Sequence, residues 1–427
     1  MKTIGIGFLG MGTIGGELVK IIQKNADHIR SFYGLDLQIR KIFVRDVNKK
    51  RDIDTTGLPL TDAVDEVLES EDVQLICECM GGAGTDKTYA YVKRAISRGL
   101  NVVMSSKKVL AYHGLELVRL SHEKHTVLCY DATVGGGIPI EKVVENSFYC
   151  QNIQRITGIL NGTSNYILSN MSLKHQSFKE ALKGAQKKGY AENDPSEDID
   201  SYDALYKAEV LSLFCLEKIF DIHSVTPRSI RDIRGLDFEL LEEEGFTIKP
   251  IVNMEIENGK LYYIIGPAVL SKTEHPCSKI NENNNIITLV GSGSGELSFS
   301  GQGAGKSPTA SVMFDDILNT FLYRNNAIQY TGIRPFDSEE EDNQSLYLHL
   351  KVSDKPGQIA EISSVLADLG INIDKFITRN KTGELYDAFL FVSHKDNINR
   401  ETLVKTIKKH HVKVLCVIPV IYEQKND

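Results

Sequence analysis

Two lysines and a dense run of carboxylates mark where this chain could do chemistry. Lys207 ends the segment Ser201-Tyr202-Asp203-Ala204-Leu205-Tyr206-Lys207. That segment is patterned as a helix, so Asp203 and Lys207, four positions apart, share one face. On a surface such a pair is worth about 0.3–0.5 kcal/mol and has no further meaning. Against that plain reading, Ala208, Val210, Leu211, Leu213 and Phe214 follow and pull the helix into the interior. An interior lysine held by a carboxylate can act as an acid toward a substrate carbonyl. The run Gly189-Tyr190-Ala191-Glu192-Asn193-Asp194-Pro195-Ser196-Glu197-Asp198-Ile199-Asp200 leads into this helix. A second lysine, Lys107, follows a predicted strand over 101–104, at the carboxyl edge of a sheet where ligands bind. The plainer alternative is a solvated loop lysine, which is the reading for Lys108.

The hexamer Gly10-Met11-Gly12-Thr13-Ile14-Gly15 has the G-x-G-x-x-G spacing of a dinucleotide-binding turn. Alone it is a weak signal. Here it follows a predicted strand (4–10) and opens an amphipathic helix (14–23), so helix N–H groups can face a pyrophosphate. The first glycine permits the tight turn, the second admits the pyrophosphate, and the third lets helix and strand approach. After the second strand comes Val44-Arg45-Asp46, then Lys49, Lys50 and Arg51. An acidic residue there would hold the ribose hydroxyls of NAD; an arginine would hold the 2′-phosphate of NADP. Arg45 comes first past the strand, which favours NADP, with NAD as the alternative. A surface pair of Arg45 with Asp46 is the bland reading.

These residues need a scaffold. Strand signals at 4–10, 37–44, 75–79, 101–104 and 127–130 alternate with helices, including 14–23 and 89–98, which predicts a parallel Rossmann-type sheet over 1–134. From 135 to 322 the pattern changes to an α+β domain with an open mixed sheet, built on strands at 153–160, 248–256, 261–269 and 286–290. A helix over 308–322 returns to the first domain. Residues 323–344 read as a linker, with Asp337-Ser338-Glu339-Glu340-Glu341-Asp342 solvated and flexible. The remainder, 345–427, reads βαββαβ, a ferredoxin-like plait. The fold class is therefore α/β, in three domains.

A formal net charge of −8 argues against a general nucleic-acid binder. No apolar stretch reaches the ~20 residues of a membrane span. The apolar start at 4–9 opens into glycines with no cleavage pattern behind it, so it reads as a strand in a cytoplasmic protein. The 7 cysteines, Cys77, Cys79, Cys129, Cys150, Cys215, Cys277 and Cys416, are scattered, as suits a reducing compartment.

With these residues in view, the chain resembles the homoserine dehydrogenases over nearly its whole length. The motifs occur in the family's order: Gly10–Gly15, then Val102-Val103-Met104-Ser105-Ser106-Lys107, then Ala132-Thr133-Val134-Gly135-Gly136-Gly137-Ile138-Pro139-Ile140. Next come Gly158-Ile159-Leu160-Asn161-Gly162-Thr163-Ser164-Asn165-Tyr166, the stretch 189–207, and Gly301-Gln302-Gly303-Ala304-Gly305 with Pro308-Thr309. The family commonly has glutamate at the position of Asp131, and an asparagine where Ser106 precedes Lys107.

The resemblance implies reversible, NAD(P)H-dependent reduction of L-aspartate 4-semialdehyde to L-homoserine, in threonine, methionine and isoleucine biosynthesis. By position it implies that Lys207 protonates the forming alkoxide, assisted or replaced by Lys107. Glu192 and Asp203 would hold the substrate ammonium or the lysine, with Asp198 in support. Gly162 and Thr163 would shape the substrate pocket, and Gly303 would touch the cofactor. A sodium or potassium ion is implied in the loop of Asp131, Val134, Gly136 and Ile138, largely through backbone carbonyls.

The C-terminal module resembles an ACT domain through Val352-Ser353-Asp354-Lys355-Pro356-Gly357-Gln358-Ile359-Ala360 and Gly370-Ile371-Asn372-Ile373. L-threonine feedback is the implied role, with Asn372 and the Gly357 loop as first places to look. A purely structural module is the alternative. A homo-oligomer, dimer or tetramer, is expected, and truncation after Asn343 is expected to leave catalysis but remove threonine sensitivity. Two rivals are an aspartate-semialdehyde dehydrogenase-like enzyme, which needs a nucleophilic cysteine, and a catalytically inactive amino-acid sensor.

Overall fold

The computed structural model describes residues 1–148, 152–322, 333–335, 337–340, 345–394 and 400–422. Cys150 and most of the expected linker lie outside the described residues.

The apolar start forms β1 (Lys2–Leu9), and the alternation behind it builds one parallel sheet. The remaining strands are β2 (Leu35–Phe43), β3 (Leu60–Thr61), β4 (Leu75–Glu78), β5 (Asn101–Met104) and β6 (Leu128–Cys129). Their spatial order is β3-β2-β1-β4-β5-β6, and every pairing is parallel. Between them run α1 (Thr13–His28), α2 (Val64–Leu68), α3 (Thr85–Ser97) and α4 (Lys107–Glu123). All four residues of β4 are buried, as a strand covered on both faces requires. The winding reverses between β1 and β4, so the ligand crevice of this Rossmann-like sheet opens beyond their carboxyl ends. Two-residue β3 is too short to show any periodicity in the sequence.

The middle of the chain contributes α5 (Ile140–Ser147), β7 (Ile153–Ile159), α6 (Gly162–Lys174), α7 (Phe178–Lys187), α8 (Ser196–Ile199), α9 (Tyr202–Cys215), β8 (Lys218–Ile219), α10 (Gly235–Glu243), β9 (Phe246–Glu257), β10 (Lys260–Ser271), β11 (Asn284–Gly291) and β12 (Gly295–Gln302). Strands β12-β11-β7-β9-β10 pair antiparallel in that order. Helices α6 and α9 are buried on nearly every side. They carry no polar stripe because protein, not water, surrounds them. Then α11 (Lys306–Leu322) goes back to the first sheet and packs on α1, placing Ala310, Met313 and Ile317 in one apolar cluster with Ile6, Leu18 and Val19.

Short β13 (Arg334–Pro335) pairs with β8, and β14 (Ser338–Glu340) precedes the C-terminal elements β15 (Ser345–Ser353), α12 (Gln358–Asp368), β16 (Ile371–Thr382), β17 (Leu385–His394), α13 (Arg400–Lys409) and β18 (Lys413–Ile421). The order β18-β15-β17-β16, antiparallel throughout, is the expected plait.

One expectation needs correction. Part of the acidic run is not free coil, because Ser338–Glu340 pairs in parallel with Leu261, Tyr262 and Tyr263 of β10. Glu339 meets Lys260 at 2.9 Å and Glu340 meets Arg228 at 2.8 Å, so two of its charges are answered by cations. The C-terminal plait, found as expected, is continuous with the middle sheet. Strand β18 joins the other end of the same β10 edge through Val269↔Val420 and Leu270↔Ile421, giving one sheet of 10 strands. Tyr347, Phe389, Cys416 and Ile418 of the plait share a core with Leu240, Leu241, Ile248 and Val269. Among the described residues no helix is long and apolar enough to cross a membrane.

Candidate active site

The glycine hexamer lies at the switch point. Gly10 has φ +96°, and a Cβ there would stand 2.6 Å from the Cys79 carbonyl oxygen, so only glycine fits the turn. A Cβ on Gly15 would stand 2.6 Å from the Gly10 oxygen, whereas at Gly12 it would meet nothing within 4 Å. The second glycine thus borders open space, and no side chain caps the start of α1. The groove in front of it, about 690 Å³, is lined by Gly10, Gly12, Thr13, Arg45, Arg51 and Met80, among others. Lys20, Lys49, Lys50 and Lys306 also reach its wall. Asp46 also lines the groove; its Oδ1 accepts Asn48 N–H, and its carbonyl accepts Arg51. Gly303 does not line this groove; it is buried against Gly136 and Asn285.

Beyond the neighbouring strand ends, the two lysines converge. Lys107 begins α4, and its Nζ lies 2.6 Å from Oδ1 of Asp203. The other oxygen of Asp203 lies 2.7 Å from Nζ of Lys207. Lys207 also donates to the Leu160 carbonyl at 2.8 Å. The Asn161 amide donates to Asp203 Oδ2 and to Asp198 Oδ1, each at 2.7 Å, while its own Oδ1 caps α6 by accepting Ser164 N–H. Ser201 supplies the turn that lets Asp198 of α8 and Asp203 of α9 face the same amide. It adopts φ +62°, and its hydroxyl donates to the Arg228 carbonyl. An L-residue seldom holds that conformation unless its surroundings impose it.

Opposing effects decide the charge state. Burial by itself would raise the Asp203 carboxyl, but the Lys107 and Lys207 ammoniums outweigh it and hold the group well below the usual carboxylate range. Lys107 is raised in turn, chiefly by Asp203. Asp198 moves the other way: burial pushes it up, and the Asn161 bond only partly offsets that. The cluster therefore presents two ammonium groups around one firm carboxylate. Such a site can place a proton on an oxygen that is becoming negative.

Other expected residues are placed less centrally. Thr163 donates from its hydroxyl to the Tyr190 carbonyl at 2.8 Å, fastening the 189–195 loop to the start of α6 beside Gly162. Glu192 rides exposed on that loop, and no ion pair among the described residues joins it to the lysines. Lys108 is not merely solvated; it pairs with Glu197 and lies over the Tyr206 ring.

Asp131 is buried, and its Oδ1 accepts Glu141 N–H at 2.6 Å. Oxygens of Asp131, Glu141 and Asp316 lie within 4.8 Å of one another. Nζ of Lys142 lies 2.9 Å from Asp316 and 4.0 Å from Asp131. Burial, then Glu141 and Asp316, push the Asp131 carboxyl well up, and Lys142 offsets this only in part. The Ile138 carbonyl accepts Ile140 N–H, and Gly136 packs against the Gln302–Gly303 backbone. The sequence reading missed Asn161, Glu141 and Asp316. Asn161 had a signal, being an N-cap residue placed three before Ser164; the two acids had none.

The cysteines offer no nucleophile among the described residues. All six are buried, and burial pushes the thiols of Cys77, Cys79, Cys215, Cys277 and Cys416 upward.

Comparison with known proteins identifies the family. The homoserine dehydrogenase family model matches residues 139–318, the homoserine dehydrogenase NAD-binding domain 10–131, and the ACT domain 347–412. A homoserine dehydrogenase of Bacillus subtilis (strain 168) is 31% identical over 385 residues, covering 88% of each chain. One from Helicobacter pylori is 31% identical over 415 residues, covering 96% of this chain and 95% of its own. A crystal structure of a homoserine dehydrogenase from Thiobacillus denitrificans matches with TM-score 0.87 at 27% identity, covering 99% of both chains. By motif, fold and overall likeness, this chain belongs to the homoserine dehydrogenase family.

Proposed function

We propose that the enzyme reduces L-aspartate 4-semialdehyde to L-homoserine, reversibly, with NADPH preferred over NADH, and that Asp203 and its two lysines carry the proton chemistry. The observation that carries this reading is the single carboxylate that holds both Lys107 and Lys207. The groove at Gly12 fits a dinucleotide, since it combines open space, an uncapped helix start and a basic wall. Bound there, the coenzyme supplies hydride to the aldehyde carbon. Arg45, with Lys49 and Lys50 close by, holds the 2′-phosphate.

As the carbonyl oxygen gains charge, Lys207 donates its proton, and Lys107 stabilises the alkoxide or takes over the donation. Asp203 holds both lysines in place and keeps Lys107 charged. Glu192 and Asp198 serve the substrate's ammonium end, and Gly162 with Thr163 shape that side of the pocket. In the reverse direction the same lysine takes the hydroxyl proton. Asp131, with Val134, Gly136 and Ile138, would hold a sodium or potassium ion, and the all-oxygen set of Asp131, Glu141 and Asp316 suits a hard cation. Such an ion would neutralise buried charge next to α5.

L-Threonine is the proposed effector of the C-terminal plait, near Asn372 and Gly357, in a homo-oligomeric, cytoplasmic enzyme of threonine and methionine biosynthesis. The test is steady-state oxidation of L-homoserine with NADP⁺ and NAD⁺, each with and without L-threonine. Turnover that favours NADP⁺ and falls with threonine is expected. No turnover with either coenzyme would overturn the assignment.

A further inference from the structure

Glu78 ends β4 with its side chain fully buried. A carboxylate in that position is costly unless hydrogen bonds replace its water. Four do so. Oε1 accepts Met80 N–H at 2.6 Å and the Ser106 hydroxyl at 2.8 Å; Oε2 accepts Ser106 N–H at 3.0 Å and Ser105 N–H at 3.2 Å. The donors come from two loops with different duties. Met80 follows β4, and Cys79, Met80 and Gly81 all line the nucleotide groove. Ser105 and Ser106 follow β5 and lead straight into Lys107. Ser106 occupies the N-cap position of α4 yet its side chain does not cap that helix; its hydroxyl is turned to Glu78 instead. The start of α4 is thus set by a carboxylate on the neighbouring strand.

We propose that Glu78 is a positioning residue that clamps the nucleotide-side turn at Met80 to the first turn of α4, so that Lys107 projects onto Asp203. This rests on the reading of Lys107 as part of the proton-transfer pair. It makes the seating of the dinucleotide and the aim of the lysine depend on one buried group.

Glu78→Gln keeps the shape but cannot satisfy the clamp. In either amide orientation an NH₂ group faces a backbone N–H, at Met80 or at Ser105 and Ser106. Lys107 should lose its aim, lowering kcat for homoserine oxidation about 10- to 100-fold with little change in homoserine KM. The alkaline limb of semialdehyde reduction should move to lower pH, because Lys107 would no longer be held by Asp203. NADPH affinity, measured by fluorescence titration without turnover, should weaken up to about tenfold, the worth of one strained or lost hydrogen bond.

A Glu78→Gln protein that only melts earlier, with wild-type kcat, pH profile and NADPH affinity, would overturn the proposal. Should that variant not fold, Ser106→Ala keeps the carboxylate and three of its four bonds; a kcat loss of a few fold and a shifted limb are expected, and unchanged values overturn it. Failure of the wild type to oxidise homoserine would instead sink the functional reading, while the NADPH titration would still decide the clamp.

Discussion

The Lys107 ammonium lies 2.6 Å from one oxygen of Asp203, whose other oxygen holds Lys207 at 2.7 Å. Two cations kept close together need an anion between them, and only one firm carboxylate is supplied. The excess positive charge is what a forming alkoxide would meet.

Replacing Lys207 by alanine should therefore lower kcat by about 10²- to 10⁴-fold, the usual worth of a positioned proton donor. NADPH affinity should stay within about twofold, since the lysine lies outside the nucleotide groove. Single-turnover kinetics with a fluorescence titration of NADPH separates the two. A near-normal rate would refute the role.

Arg45→Ala should weaken NADPH about tenfold and leave NADH nearly unchanged, because only the former carries the phosphate that the guanidinium would face. The comparison is kcat/KM for both coenzymes with one preparation. An equal loss for both would remove the phosphate assignment.

The pH response follows from the Asp203 pair. Asp203 is depressed, so its stabilising contribution is complete above the ordinary carboxyl range near pH 4 and fades only as pH falls through its lower folded value. Lys107 is raised above 10.5, so its contribution is complete below that point and fades as pH rises through the folded value. Semialdehyde reduction should then hold its rate from about pH 5 to the alkaline end of the assay range. Asp203→Asn should bring the alkaline limb down, as a pH series on kcat will read directly. A limb that stays in place would show that Asp203 does not set the lysines.

A second buried network ties the plait to the middle of the chain. Asp237 Oδ1 accepts the Tyr347 hydroxyl at 2.8 Å and lies 2.7 Å from His349 Nδ1, and His349 Nε2 lies 3.0 Å from Asp387. Tyr347→Phe keeps the ring and removes one bond to a buried carboxylate, which should cost about 2 kcal/mol in denaturant unfolding. A loss below about 0.5 kcal/mol would mean that water or His349 replaces the bond.

Truncation after Asn343 should destabilise what remains. It strips β18 from the β10 edge and uncovers Leu240, Leu241, Ile248 and Val269. The shortened chain should melt earlier and tend to aggregate through that open edge. Light scattering and thermal unfolding of both lengths would check this; a stable, soluble, fully active truncation would contradict it.

What the sequence determined by itself is everything governed by neighbours along the chain. The alternation of strands and helices, the G-x-G-x-x-G turn and the helix sharing Asp203 with Lys207 follow from local periodicity and backbone sterics. The motifs around 101–107, 158–166 and 189–207 pointed to the family, and the comparisons show it. Only the tertiary structure could decide which distant groups meet. Lys107 finds Asp203 because α4 packs on α9. Asn161 joins Asp198 to Asp203 because Ser201 turns the chain between α8 and α9. Glu141 meets Asp131 because the start of α5 packs on the turn at Asp131–Thr133, and Asp316 joins them because α11 comes back to the first sheet. The same holds for the plait: its hydrogen-bond pattern was legible strand by strand, but no local rule says that β18 will take the open edge of β10. Local order is written in spacing, whereas contact between remote side chains depends on which faces the folded chain must bury against each other.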